Sequence, residues 1–221
     1  QPCNDADNDG QQDAHCGGQD CNDNDEKVYN GAAEQCNSKD DDCDGQTDEG
    51  CSLHSDWKPI NGNWVMEENG ITPSSYGYGG HAIVINQTTS FSNVITSVKT
   101  MINSGTEAGV CGRMNPDGKG YCLSYGWGGI NQATLSYYNG FPYNPEYLNS
   151  TTVTAIPQSE KFMIKLLLGN SELKGKIWTE GTAEPDWQVQ TTDNRFTTGS
   201  TGYYTYYTKA TFTDLNNEEI S

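Results

Sequence analysis

The 221-residue sequence predicts a mainly β protein in two parts. Residues 1–54 read as a small, disulfide-rich metal-binding segment, and residues 55–221 as an antiparallel β-sandwich. Three observations lead there. Acidic residues and cysteines crowd the first quarter of the chain, and one spaced group of aspartates occurs there twice. Short alternating apolar runs, separated by turn residues, fill the remainder.

The formal charge of −18 is unevenly distributed. Residues 1–56 carry 16 acidic and 2 basic side chains, whereas residues 57–221 carry 14 and 10. Such self-repulsion opposes folding of the first segment unless cations neutralise it. It also argues against a nucleic-acid partner, because phosphate binding needs the opposite sign. Six of the eight cysteines, Cys3, Cys16, Cys21, Cys36, Cys43 and Cys51, lie in this segment; Cys111 and Cys122 are the others. An even number, dense in a short polar stretch, predicts a disulfide framework in an oxidising compartment. Spacing leaves the connectivity of the first six open, and pairing in sequence order is the expectation. Cys111 and Cys122 flank the turn signal Asn115–Gly118 and are expected to pair across it. Zinc fits less well, since no CxxC pair occurs and the neighbouring carboxylates suit harder ions. Beyond Val28 and Tyr29, residues 1–52 hold hardly any large apolar side chain, so the segment needs disulfides, metals or both.

The repeated group identifies the metal chemistry. Asp5, Asp7, Asp9, Gly10 and Asp13 recur at the same spacing as Asp40, Asp42, Asp44, Gly45 and Asp48, with Cys16 and Cys51 following. Alternate aspartates around one glycine let a tight loop wrap oxygen ligands about a cation, and the residue after the glycine offers its carbonyl. The expected ligands are Asp5, Asp7, Asp9 and the Gln11 carbonyl in one loop, and Asp40, Asp42, Asp44 and the Gln46 carbonyl in the other. Asp13 and Asp48 take the ninth position. Cysteine stands where a helix-flanked calcium loop would have glutamate, so a further carboxylate must come from elsewhere, with Asp20 and Glu49 as candidates. Asp20, Asp23 and Asp25, with Glu34 eleven residues beyond Asp23, form a third, more divergent cluster lacking the glycine. An all-oxygen donor set selects calcium over copper or nickel, with two sites expected and the third cluster as an additional one.

In the second part, residues 82–86 form a strand candidate. Val94, Thr96, Val98 and Thr100 alternate onto one face, as do Phe162, Ile164, Leu166 and Leu168. Residues 173–178 and 203–212 continue the pattern, and Asn69-Gly70, Asp117-Gly118, Asn139-Gly140 and Gly169-Asn170 mark turns. No helix is expected. Many short strands so spaced make a sandwich or jelly roll. Tyrosines cluster on these segments; Tyr125 and Trp127, two apart, would share a face and could stack on a sugar ring, while Trp57, Trp64, Trp178 and Trp187 are expected to pack.

No run of 18 apolar residues is present, so no membrane insertion is expected. A start at Gln1 without methionine, together with the sequons at Asn86 and Asn149, suggests a secreted or cell-surface glycoprotein. Paired acids for glycoside hydrolysis are not evident, since Glu180 and Glu184 flank a Gly-Thr turn, and no nucleophile motif occurs. The expectation is therefore a binding protein and not an enzyme. Its partner would be carbohydrate or another surface protein. The alternative is a structural subunit forming a homopolymer, an extracellular fibre or surface layer with calcium-stabilised contacts.

Two resemblances add to this reading. The run from Asp20-Cys-Asn-Asp to Glu34-Gln-Cys36, followed by Asp40-Asp-Asp-Cys-Asp-Gly-Gln-Thr-Asp-Glu49, resembles the MopE-type metal-binding motif of secreted bacterial proteins. Asn30 replaces its usual proline, and Asn37-Ser38 replaces Asp-Gly. The DxDxDGxxD spacing is also similar to thrombospondin type 3 repeats, which implies calcium; nothing in these residues carries over copper. Residues 57–221, with Trp57 to Trp64, Ala108 to Arg113, Lys176 to Trp187 and Phe212-Thr-Asp214, resemble the concanavalin-A-like (laminin-G-like) jelly roll. That likeness implies two curved antiparallel sheets and, often, carbohydrate binding.

Overall fold

The computed structural model describes residues 5–34, 39–46, 53–67, 70–126, 131–140 and 145–220. The chain divides into two compact units, Gln1–Ser52 with Val65–Asn69, and Leu53–Trp64 with Gly70–Ser221.

The larger unit is built from two seven-stranded sheets, except that Val65–Glu67 at the end of β2 counts with the smaller unit. Its strands are β1 (Trp57–Asn61), β2 (Asn63–Glu67), β3 (Gly70–Ser75), β4 (His81–Asn86), β5 (Val94–Ser104), β6 (Glu107–Met114), β7 (Lys119–Gly126), β8 (Gln132–Asn139), β9 (Glu146–Thr152), β10 (Lys161–Gly169), β11 (Glu172–Thr179), β12 (Val189–Thr192), β13 (Ser200–Tyr206) and β14 (Lys209–Glu219). One sheet runs β1-β4-β13-β6-β7-β8-β9 and the other β12-β11-β10-β5-β14-β3-β2. The central pairings are antiparallel, as in a jelly-roll sandwich. Among the described residues the only helical turns are two short 3-10 segments, η1 (Ala14–Cys16) and η2 (Tyr78–Gly80).

Period-two burial explains the layers. Along β5 every second residue from Val94 to Ile102 is buried, and along β10 Phe162, Ile164, Leu166 and Leu168 are. In the first sheet Val84, Tyr203, Val110, Leu123 and Leu135 lie in one row of register partners and are buried with them. Contacts tie the two inner faces together: Tyr125 meets Phe162 at 5.3 Å and Tyr203 stacks on Phe212 at 4.5 Å. Gly112 permits the close approach, because a Cβ there would stand 2.6 Å from Leu168 Cδ1. Each fully buried large side chain contributes roughly 1.5–3 kcal/mol, and this unit has many. Trp57 stacks on Tyr203 at 4.9 Å and Trp64 is buried near Phe212, so both pack as expected.

The run 203–212 is one alternating segment in sequence but two strands in space. β13 belongs to the first sheet and β14 to the second, and the chain crosses between them at Tyr207, whose φ is 43°. Thr208 holds the crossing: its Oγ1 accepts from the amides of Thr106 and Glu107 at 2.7 Å. Cys111 and Cys122 are register partners on β6 and β7 and form the expected disulfide.

The smaller unit has almost no apolar interior. Val28 is its one buried hydrophobic side chain among the described residues. Among the described residues of 5–46, regular pairing is limited to a bridge between Asp13 and Asp20. Cys21 joins Cys43, which corrects the sequence-order pairing. The reason is a backbone fold-back: the amides of Tyr29 and Gly31 donate to the carbonyls of Asp41 and Asp42, which lays the second acidic loop alongside residues 19–31. Cys16 is also disulfide-bonded. Cys3, Cys36 and Cys51 lie outside the described residues.

Candidate functional site

The two acidic loops have the same local structure. Gly10 N donates to Asp5 Oδ2 and Gly45 N to Asp40 Oδ2, at 3.0 and 2.9 Å. The amides of Asp9 and Gln11 donate to Asp7 and Asp9, as those of Asp44 and Gln46 do to Asp42 and Asp44. Asn8 and Gly10 have positive φ, and so do Cys43 and Gly45 at the matching positions. Glycine at the sixth place is thus required by a left-handed turn in both copies.

Three carboxylate groups gather. Ligand oxygens of Asp5, Asp7 and Asp9 lie within 4.8 Å of one another, as do those of Asp7, Asp20 and Asp23, and those of Glu34, Asp40 and Asp42. Asp5 Oδ1, Asp7 Oδ2, Asp9 Oδ2 and Asp20 Oδ2 are buried without a hydrogen-bond partner. Asp20 is fully buried, and its carboxyl is pushed above its ordinary range by that burial and by the neighbouring charges of Asp7, Asp9 and Asp23. Asp42 is raised in the same way, by desolvation and then by Asp44, Glu34 and Asp40. Unpaired buried carboxylate oxygens are costly unless a cation completes them, so these residues fit a hard, oxygen-seeking ion.

Several expected ligands are placed elsewhere. The third cluster does not exist as a separate loop: Asp20 and Asp23 turn to Asp7, while Glu34 joins Asp40 and Asp42 and accepts from the amides of Asp41 and Asp42 at 2.8 and 3.0 Å. Asp25 pairs with Lys39 at 2.5 Å, and this bond lowers its pKa. Asp13 caps η1 and accepts from His15 N and Nδ1, bonds that hold its carboxyl below the usual range. Asp44 is exposed and accepts from the amide and side chain of Gln46, outside the Glu34 group. Asp48 and Glu49 lie outside the described residues.

A second feature lies on the face of the first sheet that turns away from the core. Tyr204, Ser124, Thr134 and Ser150 form one row across β13, β7, β8 and β9, and Tyr206, His81, Glu107 and Gln132 form the next. All of these except Ser124 line one or the other of two adjoining hollows. One, of about 420 Å³, is bounded by His81, Glu107, Pro145, Tyr147, Tyr204 and Tyr206. The other, of about 230 Å³, shares Glu107 and Tyr147 and continues along Gln132, Thr134 and Ser150. Glu107 accepts from Ser124 Oγ at 2.5 Å, and desolvation raises its pKa despite that bond. Burial lowers the pKa of His81.

Every exposed large hydrophobic side chain among the described residues is a tyrosine: Tyr76, Tyr78, Tyr147 and Tyr207. Tyr147 edges both hollows. Tyr207 stands 4.8 Å from Tyr206 and 6.0 Å from Tyr76, so the aromatic surface continues beyond the groove. Tyr125, expected at a ligand site, is fully buried on the opposite, inner face. Its hydroxyl donates to Asn131 Oδ1 and accepts from the Ile156 amide. Trp127 lies outside the described residues. Tyr204 and Tyr206 alternate with the inward Tyr203, a parity the sequence already carries, whereas nothing in it marks Glu107. Of the sequons, Asn86 accepts from Thr88 Oγ1 at 2.7 Å, and Asn149 donates to the Gln190 carbonyl at 2.8 Å.

A family model described as a metal-binding motif, of the MopE type and named for copper, matches residues 20–49. Solved structures share the fold of the larger unit. The carbohydrate-binding module CBM66 from Bacillus subtilis superposes with a TM-score of 0.64 at 17% identity, covering 74% of this chain and 96% of that one. The exoplasmic/lumenal domain of VIP36, with calcium and Man3GlcNAc bound, gives 0.57 at 9%, covering 76% and 86%. A Parabacteroides distasonis protein provisionally described as a glycosyl hydrolase gives 0.51 at 12%, covering 76% and 89%. No curated protein matches the sequence. Among the described residues no helix is long and apolar enough to cross a membrane.

Proposed function

We propose that this is a secreted or cell-surface, calcium-binding protein whose jelly roll binds neutral carbohydrate and performs no catalysis. The observation that carries the binding role is the groove around Glu107 and Tyr147, with exposed Tyr147 lining it and exposed Tyr207 and Tyr76 reached through Tyr206. Tyrosine rings offer apolar faces for sugar rings, and Glu107, Gln132, Thr134 and Ser150 offer acceptors and donors for hydroxyls. Likeness of fold to a carbohydrate-binding module and to a glycan-bound domain supports this reading. Glycoside hydrolysis ordinarily needs two opposed carboxylates, and Glu107 is the one carboxylate among the described residues that line the groove.

Calcium is the metal the donors favour. Each gathered group consists of carboxylates, the described cysteines are oxidised, and His15 is engaged with Asp13, so nitrogen and sulfur ligands suited to copper are not in the groups. When bound, the ion supplies charge neutralisation and cross-links the loops.

The test is binding of the intact protein to immobilised neutral polysaccharides and to a glycan array. Tyr147→Ala is expected to weaken retention at least tenfold while leaving the melting temperature of the sandwich unchanged. Undiminished binding by that variant would move the site away from the groove. Release of reducing sugar by the unaltered protein would contradict the non-catalytic reading, and self-association into filaments without glycan binding would favour the fibre.

A further inference from the structure

Five aspartates in the smaller unit each use one oxygen for the backbone, and in Asp5, Asp7, Asp9 and Asp20 the other is buried without a hydrogen-bond partner. Asp5 accepts from Gly10, Asp7 from Asp9, Asp9 from Gln11, Asp20 from Asn22, and Asp23 from Ala6. Asp20 is decisive, because it is wholly buried and its second oxygen has no hydrogen-bond partner. A fully buried carboxyl group aimed at Asp7 and Asp23 stays ionised only with a positive partner.

One ion cannot serve all five as they stand. Ligands of a single calcium lie no further apart than roughly twice the calcium–oxygen distance of about 2.4 Å. The five do not form one group on that measure; they fall into two trios, Asp5-Asp7-Asp9 and Asp7-Asp20-Asp23, each within 4.8 Å and with Asp7 common to both. Charge agrees. Five carboxylates about one divalent ion would leave roughly three negative charges in a partly buried site, and two ions leave about one.

We propose that Asp7 is shared by two divalent cations, one held with Asp5 and Asp9 and the other with Asp20 and Asp23. The upstream loop and the first acids of the MopE-type segment thereby form one paired centre, distinct from the Glu34-Asp40-Asp42 group. This rests on the reading of the acidic segment as a calcium-binding one. A consequence is that residues 20–49, the stretch the family model matches, do not hold their own first site without residues 5–9.

Calcium titration of the full chain by calorimetry, with bound metal counted by atomic emission, tests the sharing. Asp7→Asn is expected to remove two ions per chain, and Asp5→Asn, Asp20→Asn and Glu34→Gln one each. Loss of a single ion from each of Asp5→Asn, Asp7→Asn and Asp20→Asn would overturn the pair while leaving calcium binding intact. An unaltered chain that binds no calcium would defeat the calcium reading as well. If Asp7→Asn releases every ion, the segment has unfolded, and a measurement on the unaltered protein decides. With terbium and neodymium loaded together, ions sharing one carboxylate exchange energy efficiently, so the terbium luminescence lifetime should shorten severalfold relative to terbium alone. An unchanged lifetime at full loading overturns the proposal.

Discussion

Leu166 sits on β10 between register partners on two neighbouring strands, with buried side chains two residues before and after it. Val28, in the smaller unit, is buried too, but its amide closes a turn onto the Asp25 carbonyl, and the other buried side chains among the described residues of 5–46 are Asp20 and Asp41. The difference shows two ways of offsetting chain entropy. In the sandwich, apolar area removed from water does it; Lys99 pairs with Glu180 and Asp214 outside the core, and the buried Arg113 donates to the carbonyls of Ser92, Asn170 and Phe196. In the acidic unit the buried groups are carboxylates that repel one another. Their burial opposes the fold until a cation reverses its sign.

That contrast can be broken first in the sandwich. Phe162→Ala should cost the larger unit about 3–5 kcal/mol, read as a lowered denaturation midpoint, because Phe162 is buried against Tyr125. Calcium affinity should be unchanged; a parallel loss would mean that the two units share one cooperative fold. Next, replacing Cys111 and Cys122 by alanine opens a link with a sequence separation of 11 and should cost roughly 2–3 kcal/mol. The sandwich should remain folded, whereas loss of Cys21–Cys43 should abolish tight calcium binding.

A smaller effect sharpens the comparison through pH. Glu107 has a raised folded-state pKa, so the folded protein holds its proton to higher pH than the unfolded chain does. Its contribution to stability is present below the unfolded carboxylate value and declines as pH rises from there through the folded value. Glu107→Gln should flatten that decline in a pH series of thermal melts. A persistent slope in the variant would assign the effect to another group.

Much of the sandwich was readable because alternation on β5 and β10 is local information: the same residues that alternate are the ones buried. The break at Tyr207 was not, since residues 203–212 alternate straight through it and only pairing partners reveal two sheets. Tyr125 was misplaced for the same reason, as its parity says which residues share its face but not which face is inner. In the acidic unit the two DxDxDG loops were legible from spacing. Asp20 was also open to sequence as the further carboxylate, but the allotment of Asp23 to the first loop and Glu34 to the second was not. It depends on the fold-back of residues 40–42 onto residues 29–34, fixed by hydrogen bonds that leave no periodic trace. Glu107 was missed because an acid at a strand end ordinarily reads as solvated.

The measurement that bears most directly on the contrast is amide hydrogen exchange on the intact protein, with calcium and after chelation. Chelation is expected to collapse protection of the bonded amides in residues 5–46, such as Gly10, Tyr29 and Asp42, while the amides of β5, β10 and β6 exchange as before. Protection in residues 5–46 that survives calcium removal with the disulfides intact would contradict the claim that cations hold this unit together.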